Sequence, residues 1–102
     1  MAMDMNKMMK QARRMQADLA KAQEEAALLT AEASAGGGVI KVVAGGDQSI
    51  KSITIDPSVV DPDDVEMLQD LVLTATNDAL AQVAELVNIR MSAVTGDLNL
   101  PF

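Results

Sequence analysis

Apolar residues in the first part of the chain recur at alternating intervals of three and four positions, the spacing of one face of an α-helix. Residues 4–28 contain neither Gly nor Pro and consist mainly of good helix formers. The pattern predicts a first helix within residues 4–29, whose apolar stripe would pack against another helix as in a coiled coil. This Met/Ala stripe consists of Met5, Met8, Ala12, Met15, Leu19, Ala22, Ala26 and Leu29.

The middle of the chain, residues 30–56, changes to β-rich runs separated by glycines. The runs at 39–44 and 49–55 are rich in β-branched residues and flank Gly45-Gly46-Asp47, which predicts a β-hairpin. Three consecutive glycines at 36–38 cannot continue a helix and predict a turn after a shorter strand near residues 30–34. The segment therefore predicts a three-stranded antiparallel meander.

A second helix is predicted over residues 62–94. Asp61 has the features of an N-cap and Pro62 those of a first helical residue, while Gly96 marks the end and 95–102 form a tail. The order of elements predicts one α+β domain over residues 1–102, with an α-β(3)-α protomer and two long helices. The apolar stripe of the second helix is Val65, Leu68, Val72, Ala75, Ala79, Val83 and Leu86, widened by Leu71, Leu80 and Val87.

The helices are too long for the sheet that they accompany. At 1.5 Å per residue they would measure about 38 and 45 Å, whereas a compact domain of this size is about 34 Å across and five-residue strands span less than about 20 Å. We therefore expect the helices to protrude as an arm and the chain to form a homodimer. The expected dimer and packing residues are Met5, Met8, Met15, Leu19, Val39 and Val72.

Composition excludes several kinds of site. The 102-residue chain has no His and no Cys, which excludes the usual zinc ligand sets, thiol catalysis, Ser–His catalysis and disulfides. Its single aromatic residue, Phe102, leaves no platform for stacking the bases of a single strand. No stretch approaches a membrane-spanning or secretory segment. We expect a cytoplasmic protein without a catalytic residue, metal, cofactor, membrane or small-molecule substrate.

Charge is strongly segregated along the chain. Residues 1–21 carry five basic and two acidic residues, a net charge of +3, whereas residues 22–102 carry three basic and thirteen acidic residues, a net charge of −10. Lys7, Lys10, Arg14 and Lys21 share one side of the first helix, opposite the Met/Ala stripe, with Arg13 at the flank. A cationic rod of this kind, doubled in a dimer, matches the phosphate backbone of duplex DNA and would bind with little sequence specificity.

Other patterns favour structural interpretations or remain open. The acids at 61–66 lack the glycine of a calcium loop and are typical of helix capping. The three glycines do not indicate a phosphate-binding loop, because a strand rather than a helix follows them. Asn77, among apolar residues, would either hydrogen-bond across a helix interface or face water. The methionine-rich first helix would also suit a partner helix or, less well, an anionic membrane.

Five short motifs resemble the YbaB/EbfC family of bacterial nucleoid-associated proteins. They occur in order over almost the whole chain: KMMKQARRMQ at 7–16, ASAGGGVIKVV at 33–43, ITIDP at 53–57, TNDA at 76–79 and TGDLNLP at 95–101. Each motif is weak alone, but five in order form a specific pattern.

The resemblance implies a tweezer-like homodimer whose helical arms bind duplex DNA with little or relaxed sequence preference. It also implies a nucleoid-associated role in nucleoid organisation and gene expression. It places the DNA contacts on Lys7, Lys10, Arg13 and Arg14, with Gln11 and Gln16 as neutral donors; Lys21 follows from the charge pattern alone. Family members often carry basic residues on the second helix too, whereas this chain has only Arg90 there. The alternative is a protein–protein interaction module that uses the Met/Ala stripe without binding DNA directly.

Overall fold

Two helices and three strands follow one another in the predicted order. In this computed structural model, which describes residues 4–97, a turn of 3₁₀-helix also links the last strand to the second helix. The predicted α-β(3)-α fold is confirmed. The elements are α1 (Met5–Ala27), β1 (Thr30–Ala35), β2 (Ile40–Gly45), β3 (Ile50–Ile55) and α2 (Val65–Asp97).

The three strands form one antiparallel sheet in the order β1-β2-β3. Gly36, Gly37 and Gly38 have φ values of 65°, 76° and 99° in the β1–β2 turn. Residues with a side chain rarely adopt this left-handed region of the backbone, so the run of glycines permits the turn. In β2–β3 the register shifts by one residue between Val43 and Ala44, a bulge next to the second turn.

The core lies between α2 and one face of the first two strands. Alternate residues of β1 and β2 point inward and pack against Ala75, Ala79 and Val83 of α2, and the two alanines allow a close approach between helix and sheet. Leu68, Leu71, Val72 and Leu80 pack around this centre. The buried residues of the cluster are Ala31, Ala33, Ile40, Val42, Ala44, Ala75, Ala79 and Val83.

The molecule is elongated, as the helix lengths predict. Its Cα atoms extend over 78 × 22 × 16 Å with a radius of gyration of 20.7 Å, against about 13 Å for a compact domain of this size. Only the end of α1 nearest the sheet packs closely on α2: Ala22 and Ala26 are its buried residues. The rest of α1 extends away from the body as an arm.

The predicted bounds of the second helix are wrong at both ends. The helix begins at Val65 rather than Pro62, because Asp61 accepts the amide of Asp63 at 2.9 Å in a preceding turn, while Asp64 accepts the amide of Met67 at 3.3 Å and caps the helix. The helix also continues through Gly96 to Asp97, since one glycine weakens but does not end a helix. Residues 98–102 of the predicted tail lie outside the described residues.

Candidate nucleic-acid interface

The predicted DNA-contacting residues all lie on α1 and are all exposed. The helix is built from good helix formers and is capped by Asp4, whose carboxylate accepts the amide of Asn6 at 3.1 Å. Along such a helix Lys7, Lys10 and Arg14 are separated by about 4.5 and 6 Å of axial rise on one side. Gln11 and Gln16 are exposed beside them, Arg13 lies at the flank and Lys21 lies two turns further toward the body.

The cations of α1 are available to an external anion. Among residues 4–97, the two salt bridges shorter than or equal to 4.0 Å are Lys51–Asp47 and Arg90–Glu25, neither of which involves a cation of the arm. The body beyond the arm carries no basic residue between Ser52 and Ile89. A polyanion is therefore attracted to the arm and repelled by the body.

The predicted dimer and packing residues lie in different environments. Met5 and Met8, on the outer part of the arm, are 70 % and 45 % exposed, and Met15 and Leu19 are half-buried. Val39 and Val72 pack against the core of the domain. The Met/Ala stripe thus has a helix partner at its inner end and none within the described chain at its outer end.

A second uncovered apolar surface runs along β3. The inward-facing residues of this strand are identified by their cross-strand partners: Ile53 pairs with buried Val42 and Ile55 with buried Ile40. Nevertheless every residue of β3 is exposed, and Ile53 is 48 % exposed. Between β3 and α2 lies an open, mostly apolar groove lined by Ile55, Leu68, Gln69, Val72, Leu73 and Thr76.

Sequence reasoning missed this surface, although a signal for it was present. A helix about 10–12 Å across covers two strands spaced by about 4.8 Å, and α2 is the helix that packs on the sheet. A chain with three strands and one sheet-packed helix therefore leaves the inner face of one strand open. We refer to Ile50, Ile53, Ile55 and the α2 side of the groove as the β3/α2 face.

Asp47 and Asp56 have lowered pKa values, and both belong to turns rather than to the arm. The hydroxyl of Ser49 donates to Asp47 at 2.6 Å; this bond, with donation from Lys51 and from the Ser49 amide, lowers the pKa of Asp47 to about 2. The backbone amide of Ser58 lowers the pKa of Asp56 in the same way. These carboxylates stabilise the connections on either side of β3.

The remaining candidate features show structural roles. The acids at 61–64 cap turns and the start of α2, and within residues 4–97 no group of three or more potential ligands is placed to hold a metal ion. Asn77 is exposed in the protomer. No helix in the described part of the chain is both long and apolar enough to cross a membrane.

Known proteins resemble this chain in sequence over nearly its whole length. Residues 1–98 match the model of the YbaB/EbfC DNA-binding family. A protein of Desulforamulus reducens named nucleoid-associated protein is 61 % identical over 98 residues, which cover 96 % of this chain and 93 % of that protein. A protein of the same name from Moorella thermoacetica is 57 % identical over 98 residues, 96 % of this chain and 94 % of its own length.

A solved structure has the same fold. The crystal structure of an uncharacterized protein from Helicobacter pylori superposes with a TM-score of 0.70, covering 95 % of this chain and 99 % of that one. The two sequences are 23 % identical. The arrangement of two helices around a three-stranded sheet is therefore shared by a distant sequence.

Proposed function

This chain belongs to the YbaB/EbfC DNA-binding family, and from that premise we propose that it is a non-catalytic, nucleoid-associated protein of the bacterial cytoplasm. It binds duplex DNA with little sequence specificity through the basic arms of a homodimer and thereby influences nucleoid organisation and gene expression. The observation that carries the proposal is the exposed cationic side of α1, which extends from a body of opposite charge.

The charge distribution supports contact with DNA at the arms. Phosphate contacts by Lys and Arg supply most of the affinity of sequence-independent binding. Lys7, Lys10 and Arg14 project from one side of a helix whose outer part has no neighbour in the described chain, so they reach a duplex without bringing the acidic body close. Two arginines and a few amides on α1 provide little for reading bases, which agrees with contacts to the backbone.

The β3/α2 face supports a homodimer. β3 is an edge strand with free backbone groups, and its inner face exposes three isoleucines beside the groove of α2. Isolated chains rarely leave such an edge uncovered. A second copy, related by twofold symmetry, brings the same apolar face and the same edge, so each protomer covers the face that α2 leaves open in its partner. The two arms then belong to one dimer.

A salt-titrated mobility-shift assay on a random-sequence duplex tests DNA binding. With Lys7, Lys10 and Arg14 of two arms neutralising about six phosphates, the slope of log affinity against log salt is about −5. Raising the salt concentration from about 50 to 200 mM then weakens binding about a thousandfold. Alanine at these three positions removes the contacts while preserving the helix. We expect the slope to fall far below the wild-type value, with Arg13 and Lys21 as the remaining cations of the arm, and the loss to be similar for every sequence.

A charge-matched control separates local contact from overall electrostatics. Substituting Lys41, Lys51 and Arg90 with alanine changes the net charge by the same three units but removes no cation of α1. We expect this variant to keep a slope near that of the wild type. Equal losses from the two triple variants, or binding that is insensitive to both, would refute the assignment of the contacts to α1.

The exposed methionines at the tip of the arm favour a second candidate function. Met5 and Met8 present flexible apolar side chains without a partner among the described residues, a surface suited to docking a helix of another protein. In this alternative the charges of α1 provide solubility. Partner binding would then survive loss of the three cations and fail when Met5, Met8 and Met15 are replaced by glutamine; DNA binding shows the opposite pattern.

A further inference from the structure

Three elements meet at the base of the arm. Where α1 ends and β1 begins, the amide of Gly46 in the β2–β3 turn donates to the carbonyl of Leu29 at 2.7 Å. The same glycine lies directly against the backbone of Ala26, in the last turn of α1, and near Val87 of α2. The β2–β3 turn therefore contacts the backbone of α1 at the point where the helix leaves the body.

Position 46 requires a glycine because a side chain would not fit there, and not because of the backbone dihedral angle. Its φ lies outside the left-handed region, unlike that of the three glycines in the β1–β2 turn. A Cβ atom placed on Gly46 would overlap the carbonyl oxygen of Ala26 and would lie 3.1 Å from the Cγ2 atom of Val87. Ala26 is 3 % exposed, and the atom in the way belongs to the helix backbone, so a side-chain rotation does not relieve the overlap.

We infer that Gly46 is a positioning residue that sets the direction of α1 relative to the sheet and thereby the direction of the basic side of the arm. Contact without an intervening side chain holds the helix axis at one angle. The consequence for DNA rests on the proposed function: when two arms belong to one dimer, the angle at each base determines whether both reach one duplex.

The length of the arm amplifies a small change at its base. An added methyl group forces a displacement on the order of 1 Å where backbone meets backbone. If α1 turns about its buried contact at Ala22, about 6 Å from Ala26, then Met9, about 20 Å beyond Ala22, moves by about 3 Å. A displacement of this size is measurable between two spin labels.

The neighbouring glycine provides a matched control. The Gly46→Ala and Gly45→Ala variants add the same methyl group at adjacent positions, the last residue of β2 and the first residue of the turn. At Gly45, however, the new Cβ would meet the ends of two exposed side chains, with the Oδ1 atom of Asp47 at 2.7 Å and the Cε atom of Lys51 at 2.5 Å. These side chains can rotate aside at the cost of hydrogen bonds to Asp47, and no backbone atom of α1 is in the way. Gly45→Ala therefore leaves α1 where it is.

Double electron–electron resonance measures the angle directly. The chain has no cysteine, so Met9→Cys on α1 and Ser34→Cys on β1 carry the only labels; excess unlabelled chain suppresses distances between protomers. We expect the distance distribution to shift by up to about 3 Å in Gly46→Ala and to remain at the wild-type value in Gly45→Ala, with α-helical circular dichroism unchanged in both. An unshifted distribution in folded Gly46→Ala means that the added methyl group displaces the turn and not α1, which overturns the inference.

Two further measurements separate this inference from folding and from DNA binding. In the wild type, the amide of Gly46 should resist hydrogen exchange as strongly as the amides of β2; rapid exchange contradicts a closed junction even if Gly46→Ala does not fold. For DNA, we expect Gly46→Ala to bind a random duplex at least about tenfold more weakly than Gly45→Ala, because linked sites lose avidity when geometry prevents joint engagement. Absence of wild-type DNA binding would refute the proposed function, while the label distances still decide the role of Gly46.

Discussion

If the β3/α2 face forms the proposed homodimer interface, a carboxylate placed on it should separate the protomers and halve the electrostatic component of DNA binding. Ile53→Asp changes a side chain that is 48 % exposed, is not buried by its own α2, and lies on the inner face opposite Val42. Thr54→Asp is its control: it introduces the same charge one residue along the same strand, on the outer face opposite exposed Lys41. Because successive residues of a strand point to opposite faces, the two variants place the same charge on opposite faces of the sheet.

The expected destabilisation of the dimer follows from burial. Complete burial of an isoleucine is worth about 1.5–3 kcal/mol, so covering the exposed half of Ile53 contributes about 1 kcal/mol in each protomer. The aspartate also has to be desolvated at the interface, at an effective penalty of several kcal/mol per ion. A total of roughly 5 kcal/mol or more raises the dissociation constant of the dimer by about three to four powers of ten.

Light scattering on a sizing column and a salt titration of DNA binding together check this prediction. Wild type and Thr54→Asp should have twice the chain mass of 10.7 kDa, and Ile53→Asp should have the mass of one chain. A single arm neutralises about three phosphates instead of about six, so the salt slope of Ile53→Asp falls from about −5 to about −3. A dimeric Ile53→Asp protein, or a monomer that keeps the full slope, would refute the reasoning.

Further predictions concern local stability and acid titration. Asp64→Ala should lower the free energy of unfolding by about 1 kcal/mol, because it removes the α2 cap, and more than Asp61→Ala, measured by urea denaturation at equal m-values; the reverse order would restore Asp61 as the cap. Ser49→Ala should raise the pKa of Asp47 from about 2 toward its ordinary value near 3.8 in a carboxyl NMR titration. Since the folded pKa is the lower one, the stability contribution of this carboxylate is present above about pH 4 and disappears as the pH falls toward 2; an unchanged titration of Asp47 contradicts the assigned hydrogen bond. Val83→Ala, at a position 1 % exposed in the core, should cost about 2 kcal/mol in the same denaturation assay, and a negligible loss would show that α2 is not packed there as described.

Much of the fold could be predicted because its elements depend on local chemistry. The helical spacing of α1, the β-branched runs around Gly45 and Gly46, and the three glycines before β2 each restrict the backbone within a few residues. The start of α2 was less determined, since both Asp61 and Asp64 have a carboxylate suited to capping. Which carboxylate caps the helix depends on how the preceding turn is folded.

The candidate site divides in the same way. Segregation of charge on Lys7, Lys10 and Arg14 is a property of helical periodicity and is visible in the chain alone, as is the family motif that contains these residues. The exposure of Ile53 is not visible in the sequence, because an isoleucine in a strand is equally suited to a buried position. This exposure follows from the structure, in which α2 is wide enough to cover two of the three strands.

Sequence by itself determined the order of elements, the opposite signs of arm and body, and the length that prevents both helices from lying on the sheet, since these follow from residue type, spacing and rise per residue. Tertiary structure alone decided which strand α2 leaves uncovered and where α1 meets Gly46. Those features depend on contacts between residues distant in the chain, and steric fit between such residues leaves no periodic pattern in the sequence.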